Sequence, residues 1–245
     1  MRFSRISGFA AIGFAITIVG GNLIMVPAGL PLVGAETAEV NAFFGEHGDL
    51  VGLVSGFLPA VWVLATLFGA GAVAALWTFE RKRGEAWSLV GFAGLIMQNV
   101  TFTGVIATRL ALARTAPYDT TATTGLWALH DALLTLNGTF LATALVGLSM
   151  AGLRAQFIRH WHGGLGLLAA ALQFTSASLA SLVIKEESPL GLIGLTGWLL
   201  WAVWIVMYGI RLIRVAETGP RLPVGGGVPG HPGDDLALAS RPPDA

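Results

Sequence analysis

Six stretches of this chain, 7–29, 51–77, 88–113, 125–151, 164–184 and 190–213, each run for more than twenty residues, and their only formal charges are Arg109, Asp131 and Arg211. An α-helix rises 1.5 Å per residue, so about 20 apolar residues cross the roughly 30 Å hydrocarbon core of a bilayer. The expected fold is therefore all-α: a polytopic membrane bundle of six transmembrane helices. Composition agrees, because only 11% of residues are charged, against about 25% in soluble domains. The run that follows Arg2 and Arg5 is about twice the length of a signal-peptide core, so it reads as the first span rather than a cleaved leader.

Charge in the connecting loops sets an expected orientation. Arg2 and Arg5, then Arg81, Lys82 and Arg83, then Arg154 and Arg159, and finally Arg211 and Arg214 mark one side. The alternate loops carry Glu36, Glu39, Glu46, Asp49, Asp119, Glu186 and Glu187, with Arg114 and Lys185 as their basic residues. The positive-inside rule then places both termini in the cytoplasm. Residues 1–215 form the membrane domain in this reading. Residues 216–245, rich in Pro and Gly, form a cytoplasmic tail expected to be disordered. Trp77, Trp87, Trp161 and Trp127 fall where interfacial belts sit. Trp201, Trp204 and Tyr208 make a packing stripe in the last span. Glycine runs such as Gly69-Ala70-Gly71 and Gly191–Gly197 offer close helix contacts.

Several chemistries are excluded. The chain has no Cys, so it has no disulfide, no thiolate metal site and no cysteine nucleophile. Its net charge of zero argues against a nucleic-acid-binding face. No GxSxG, HExxH, histidine-box or aspartate-rich motif is present. His160 and His162 flank Trp161, but with no acidic residue close in sequence they suit headgroup contact better than a metal. No metal and no cofactor are expected.

What remains is the polar content of the spans. His130 and Asp131 lie five to six residues below Gly125, about 8–9 Å into the membrane at 1.5 Å per residue. A charge at the centre of a membrane helix costs about 2.5–3.5 kcal/mol on insertion scales, so an ionised Asp131 should face inward and have a partner. Arg109 lies about 7 Å below its own boundary on the neighbouring antiparallel span, and an Arg109–Asp131 ion pair is the expectation. Gln98 and Asn99 in span three, Asn137 in span four, and Gln173 and Ser176 in span five add amides and hydroxyls at mid-span. Asn137 follows His130 by seven residues, and Thr135 and Gly138 follow Asp131 by four and seven, which makes a polar stripe on one helix face. The candidate ligand or proton pathway is His130, Asp131, Arg109, Gln98, Asn137 and Gln173.

The segments "RISGFAAIGFAI" and "ALHDALLTLNGTFLATALVGLSMAGLRAQFIRHWHGGLGLLAAAL" resemble a group of bacterial six-helix integral membrane proteins of unknown function, over about residues 1–215. That resemblance implies a six-span fold and carries no activity with it. The Ala- and Gly-rich, Lys-poor composition fits a high-GC bacterium, hence a plasma membrane. Three functional readings follow. The first is binding or transport of a small lipophilic solute through the polar interior of spans three to five. The second is a non-catalytic accessory or regulatory subunit, paired with another membrane subunit or with copies of itself. The third is a membrane-embedded enzyme on a lipid or isoprenoid, with Asp131 as general acid and His130 as its partner.

Overall fold

The computed structural model describes residues 3–185 and 188–218, and among these it is entirely helical apart from turns and connecting loops. The helices are α1 (Phe3–Met25), α2 (Thr37–Glu46), α3 (Gly48–Ser55), α4 (Leu58–Arg83), α5 (Trp87–Thr115), α6 (Thr120–Arg154), α7 (His160–Ser178), α8 (Ala180–Val183) and α9 (Gly191–Thr218). Among the described residues, five spans are long and apolar enough to cross a membrane: Phe3–Met25, Gly48–Arg83, Trp87–Thr115, Thr120–Arg154 and Gly191–Val215. The chain thus has the helices of a multi-pass membrane protein. The expected disorder of the tail bears on 219–245, which lie outside the described residues, while α9 itself runs to Thr218.

The long fifth span expected over 164–184 differs in form. α7 ends at Ser178, and Leu179 leaves the helical region (φ −97°, ψ 20°) before the single turn of α8. Nineteen residues rise about 28 Å, slightly short of the core thickness. The helix also carries His160, His162, Gln173, Thr175 and Ser176, so it is less apolar than its neighbours. The acidic segment expected to be loop is also more ordered than its composition suggests. α2 and α3 form there, and α3 runs into α4 through Gly56 and Phe57 with almost no break. Val40, Phe43, Phe44 and Val51 from these short helices bury against Met25, Leu112 and Trp127.

The main contacts run in chain order around a closed ring: α1 on α4, α4 on α5, α5 on α6, α6 on α7, α7 on α9, and α9 back on α1. Glycine sets the closest of these approaches. A Cβ at Gly147 would overlap the backbone of Gly91, and one at Gly91 would stand 2.7 Å from the Leu148 nitrogen. Only backbone-on-backbone packing fits there, as expected where helices gain little from the hydrophobic effect against one another. Trp201, Trp204, Ile205, Tyr208 and Leu212 fill the centre with Phe14, Phe68 and Leu145, so the tryptophan stripe is core.

Hydrogen bonds define the two ends of the ring. At one end Arg154 donates to Glu85 at 2.7 Å, joining the α4–α5 turn to the end of α6. Glu80 is buried there, and its carboxylate accepts from the Ser88 N–H at 2.8 Å and from the Ser88 hydroxyl, capping α5 from the neighbouring helix. At the other end the Asp119 side chain accepts from the Ala122 N–H and caps α6. The loop after α1 lies at this second end, next to the start of α6.

Candidate functional site

α5 and α6 are antiparallel neighbours, which brings Arg109 level with His130 at the end of the third turn of α6. The Arg109 guanidinium does not bond Asp131 directly. Its Nε–H donates to His130 Nε2 at 3.0 Å, His130 Nδ1 lies 3.0 Å from Asp131 Oδ1, and Asp131 Oδ2 accepts from the Gly34 N–H at 2.8 Å. The expected ion pair is therefore bridged by an imidazole. His130 is 1% exposed and Asp131 3%.

These three contacts fix the tautomer of His130. A guanidinium N–H only donates, so His130 Nε2 must be the bare nitrogen. The ring of a neutral histidine then carries its hydrogen on Nδ1, which donates to Asp131. A backbone N–H also only donates, so both Asp131 oxygens act as acceptors. The array is a cation, a neutral relay and a carboxylate. The formal charges cancel, as a buried site in lipid requires.

Two further residues hold the relay in place. Trp127 stacks on the His130 ring at 4.4 Å with 9° between the planes, and it meets Phe44 of α2 at 6.2 Å. Trp127 was expected in an interfacial belt, but it is 5% exposed and belongs to the relay's apolar cover. Gly34 has φ +83°, a left-handed conformation suited to glycine, and a Cβ there would lie 2.8 Å from the Lys185 carbonyl oxygen. Sequence reasoning missed Gly34. It lies 97 residues from its partner, and a Pro- and Gly-containing loop was its only signal.

The other expected site residues do not join this array. Gln173 donates to the Gly194 carbonyl at 2.9 Å, tying α7 to α9, and its side-chain oxygen lies beside Gly138 of α6. Gln98 and Asn137 are buried, and their side-chain oxygens bond to nothing among the described residues. His162, expected near the headgroups, is buried on α7 with Nε2 3.0 Å from the Trp204 carbonyl.

A cavity of about 250 Å³ lies beside the relay, walled by α1, α3, the start of α4 and α5. Its wall includes Thr17, Ile18, Gly20 and Gly21 of α1, Val51 and Val54 of α3, and Phe102, Ile106 and Arg109 of α5. Phe102, Ile106 and Arg109 are spaced four and three residues apart, so they line one face of α5. Among the described residues, Arg109 is the only charged one in the wall. No three His, Cys, Asp or Glu among the described residues are grouped to hold a metal ion.

The fold and site define an all-helical bundle with several membrane-compatible helices, a charge-neutral Arg–His–Asp relay and an adjoining apolar cavity. No family model, curated protein or solved structure matches the chain.

Proposed function

We propose that this chain is a six-span plasma-membrane protein of a bacterium, with both termini cytoplasmic, that binds or moves a small lipophilic solute. In this reading α7 and α8 together make the sixth crossing. The observation that carries the function is the apolar cavity with one cation in its wall. Intramembrane ionisable groups mark ligand and ion sites more often than they serve packing alone, and this one abuts open space.

The enzyme reading is weaker on chemical grounds. Both Asp131 oxygens already accept hydrogen bonds, so neither is turned toward a substrate. The basic nitrogen of His130 is covered by Arg109. Neither residue presents a free acid or base to a substrate.

Equilibrium binding of radiolabelled decanol to the protein in lipid nanodiscs tests the proposal, with empty nanodiscs as background. Saturable retention is expected, and Gly20→Leu should abolish it by filling the cavity, since nothing lies within 4 Å of a Cβ at Gly20. Retention no greater than in empty discs, or unaltered in Gly20→Leu, would refute solute binding and favour an accessory subunit.

A further inference from the structure

The cavity wall is chemically lopsided. The hydroxyl of Thr17 is spent on the Gly13 carbonyl at 2.9 Å, and the Asn22 amide donates to the Ile18 carbonyl at 2.9 Å. What remains open is the Asn22 side-chain oxygen, the Ser55 hydroxyl and, above all, the far side of the Arg109 guanidinium. That group has five N–H donors in a planar fork. Its Nε–H is committed to His130, while its two terminal nitrogens bond to nothing among the described residues. Asp131 does not answer this charge from the cavity side, because His130 stands between them and both its oxygens are taken. A fork left open in a low-dielectric wall favours a planar anion that accepts two parallel bonds.

We infer that the solute is an amphiphilic monocarboxylate drawn from the bilayer, its carboxylate held by the terminal nitrogens of Arg109 and its chain lying along Ile106, Phe102 and Ile18. This rests on the solute-binding reading above and adds the ligand's chemical class. One carboxylate matches the open two-donor edge of the fork. A phosphomonoester would bring a second negative charge with nothing to meet it, a cation would be repelled, and an alcohol would leave donors unmatched.

Depth supports a source in the bilayer. Seven residues of α5 separate Phe102 from Arg109, about 10 Å along the helix. Arg109 lies toward the α5–α6 loop, and Phe102 lies toward mid-span. A ligand placed this way has its head near an interface and its tail toward the bilayer centre, as a leaflet lipid does. The rim also points outward to lipid, since Ile24, Leu53 and Phe57 belong to the wall and are 53%, 65% and 61% exposed. The volume is slightly below the roughly 300–1,000 Å³ of typical ligand pockets. It therefore encloses a head and the first part of a chain.

Competition in nanodiscs tests the inference, with radiolabelled decanoate as probe and decanol, decyl phosphate, decyltrimethylammonium and acetate as competitors. Decanoate should compete at least about tenfold better than decanol, the factor expected for one charge-assisted hydrogen bond. Acetate, which has the same head and no chain, should not compete. Arg109→Gln should erase the preference for decanoate over decanol. Arg109→Lys, which keeps the charge and loses the fork, should retain part of it. Gly20→Leu, remote from the relay, should exclude both decanoate and decanol while leaving the melting temperature near wild type. Equal binding of decanol and decanoate to wild type would overturn the inference, as would better competition by decyl phosphate, effective competition by acetate, or an unchanged preference in Arg109→Gln. If decanol still binds saturably and Gly20→Leu still blocks it, the solute-binding reading survives that failure. If no probe binds, both fall.

Discussion

At position 130 the side chain must accept a hydrogen bond on one edge and donate one on the other, across a rigid ring in roughly one plane, and neutral histidine does this. Glutamine offers the same two functions on a flexible stem. A hydrocarbon offers neither, and would leave Arg109 and Asp131 as separate buried charges. The relay is thus coupled through His130, although its ends do not touch. Arg109→Met and Asp131→Asn should each cost about 3–5 kcal/mol, because each strands a charge away from water. The double variant removes both charges, and its cost should fall short of the sum by about 1–3 kcal/mol. Unfolding of the three variants in mild detergent measures this, and strict additivity would show that the two ends do not communicate. The depth match of Arg109 and Asp131 was legible from span boundaries alone. The bridging histidine was not, because residues 130 and 131 are adjacent on one helix turn and depth does not say which of them meets α5.

Among the elements, the loop after α1 and the short helices α2 and α3 do the most to shape the site. They supply the Gly34 N–H, cover Trp127 with Phe44 and wall the cavity with Val51 and Val54. Their sequence was read as an acidic loop because Glu36, Glu39, Glu46 and Asp49 break up its apolar residues, leaving no run long enough to span. The burial of Val40, Phe43, Phe44 and Val51 comes from spacing on helices too short to announce themselves. Long spans were legible for the opposite reason, since twenty uninterrupted apolar residues have few other places to go. Glu80 also escaped notice: it lies next to the basic Arg81–Arg83 run, and its role as a cap for α5 depends on a turn in the chain. Gly34→Ala should lower stability by about 1–3 kcal/mol, through a left-handed backbone and contact with the Lys185 carbonyl. A melting temperature equal to wild type would mean that the loop does not hold Asp131 in solution.

For the whole molecule, ring closure and lipid exposure explain each other. Each long helix turns a narrow face to two neighbours, and large apolar side chains such as Ile16, Leu23, Val63, Val100, Leu136 and Val203 remain exposed around the outside. Water would not tolerate an apolar surface of that extent on a monomer, whereas acyl chains suit it. An outside of this kind belongs to a chain that crosses a membrane, with the relay nearer the face that carries α2 and α3. The absence of cysteine makes this directly measurable. Single-cysteine variants Asp49→Cys and Arg83→Cys, expressed in intact bacterial cells, are treated with a membrane-impermeant maleimide before and after lysis. Labelling at position 49 in intact cells, and at position 83 only after lysis, is the predicted result. Equal labelling of both sites in intact cells, or the reverse pattern, would contradict it.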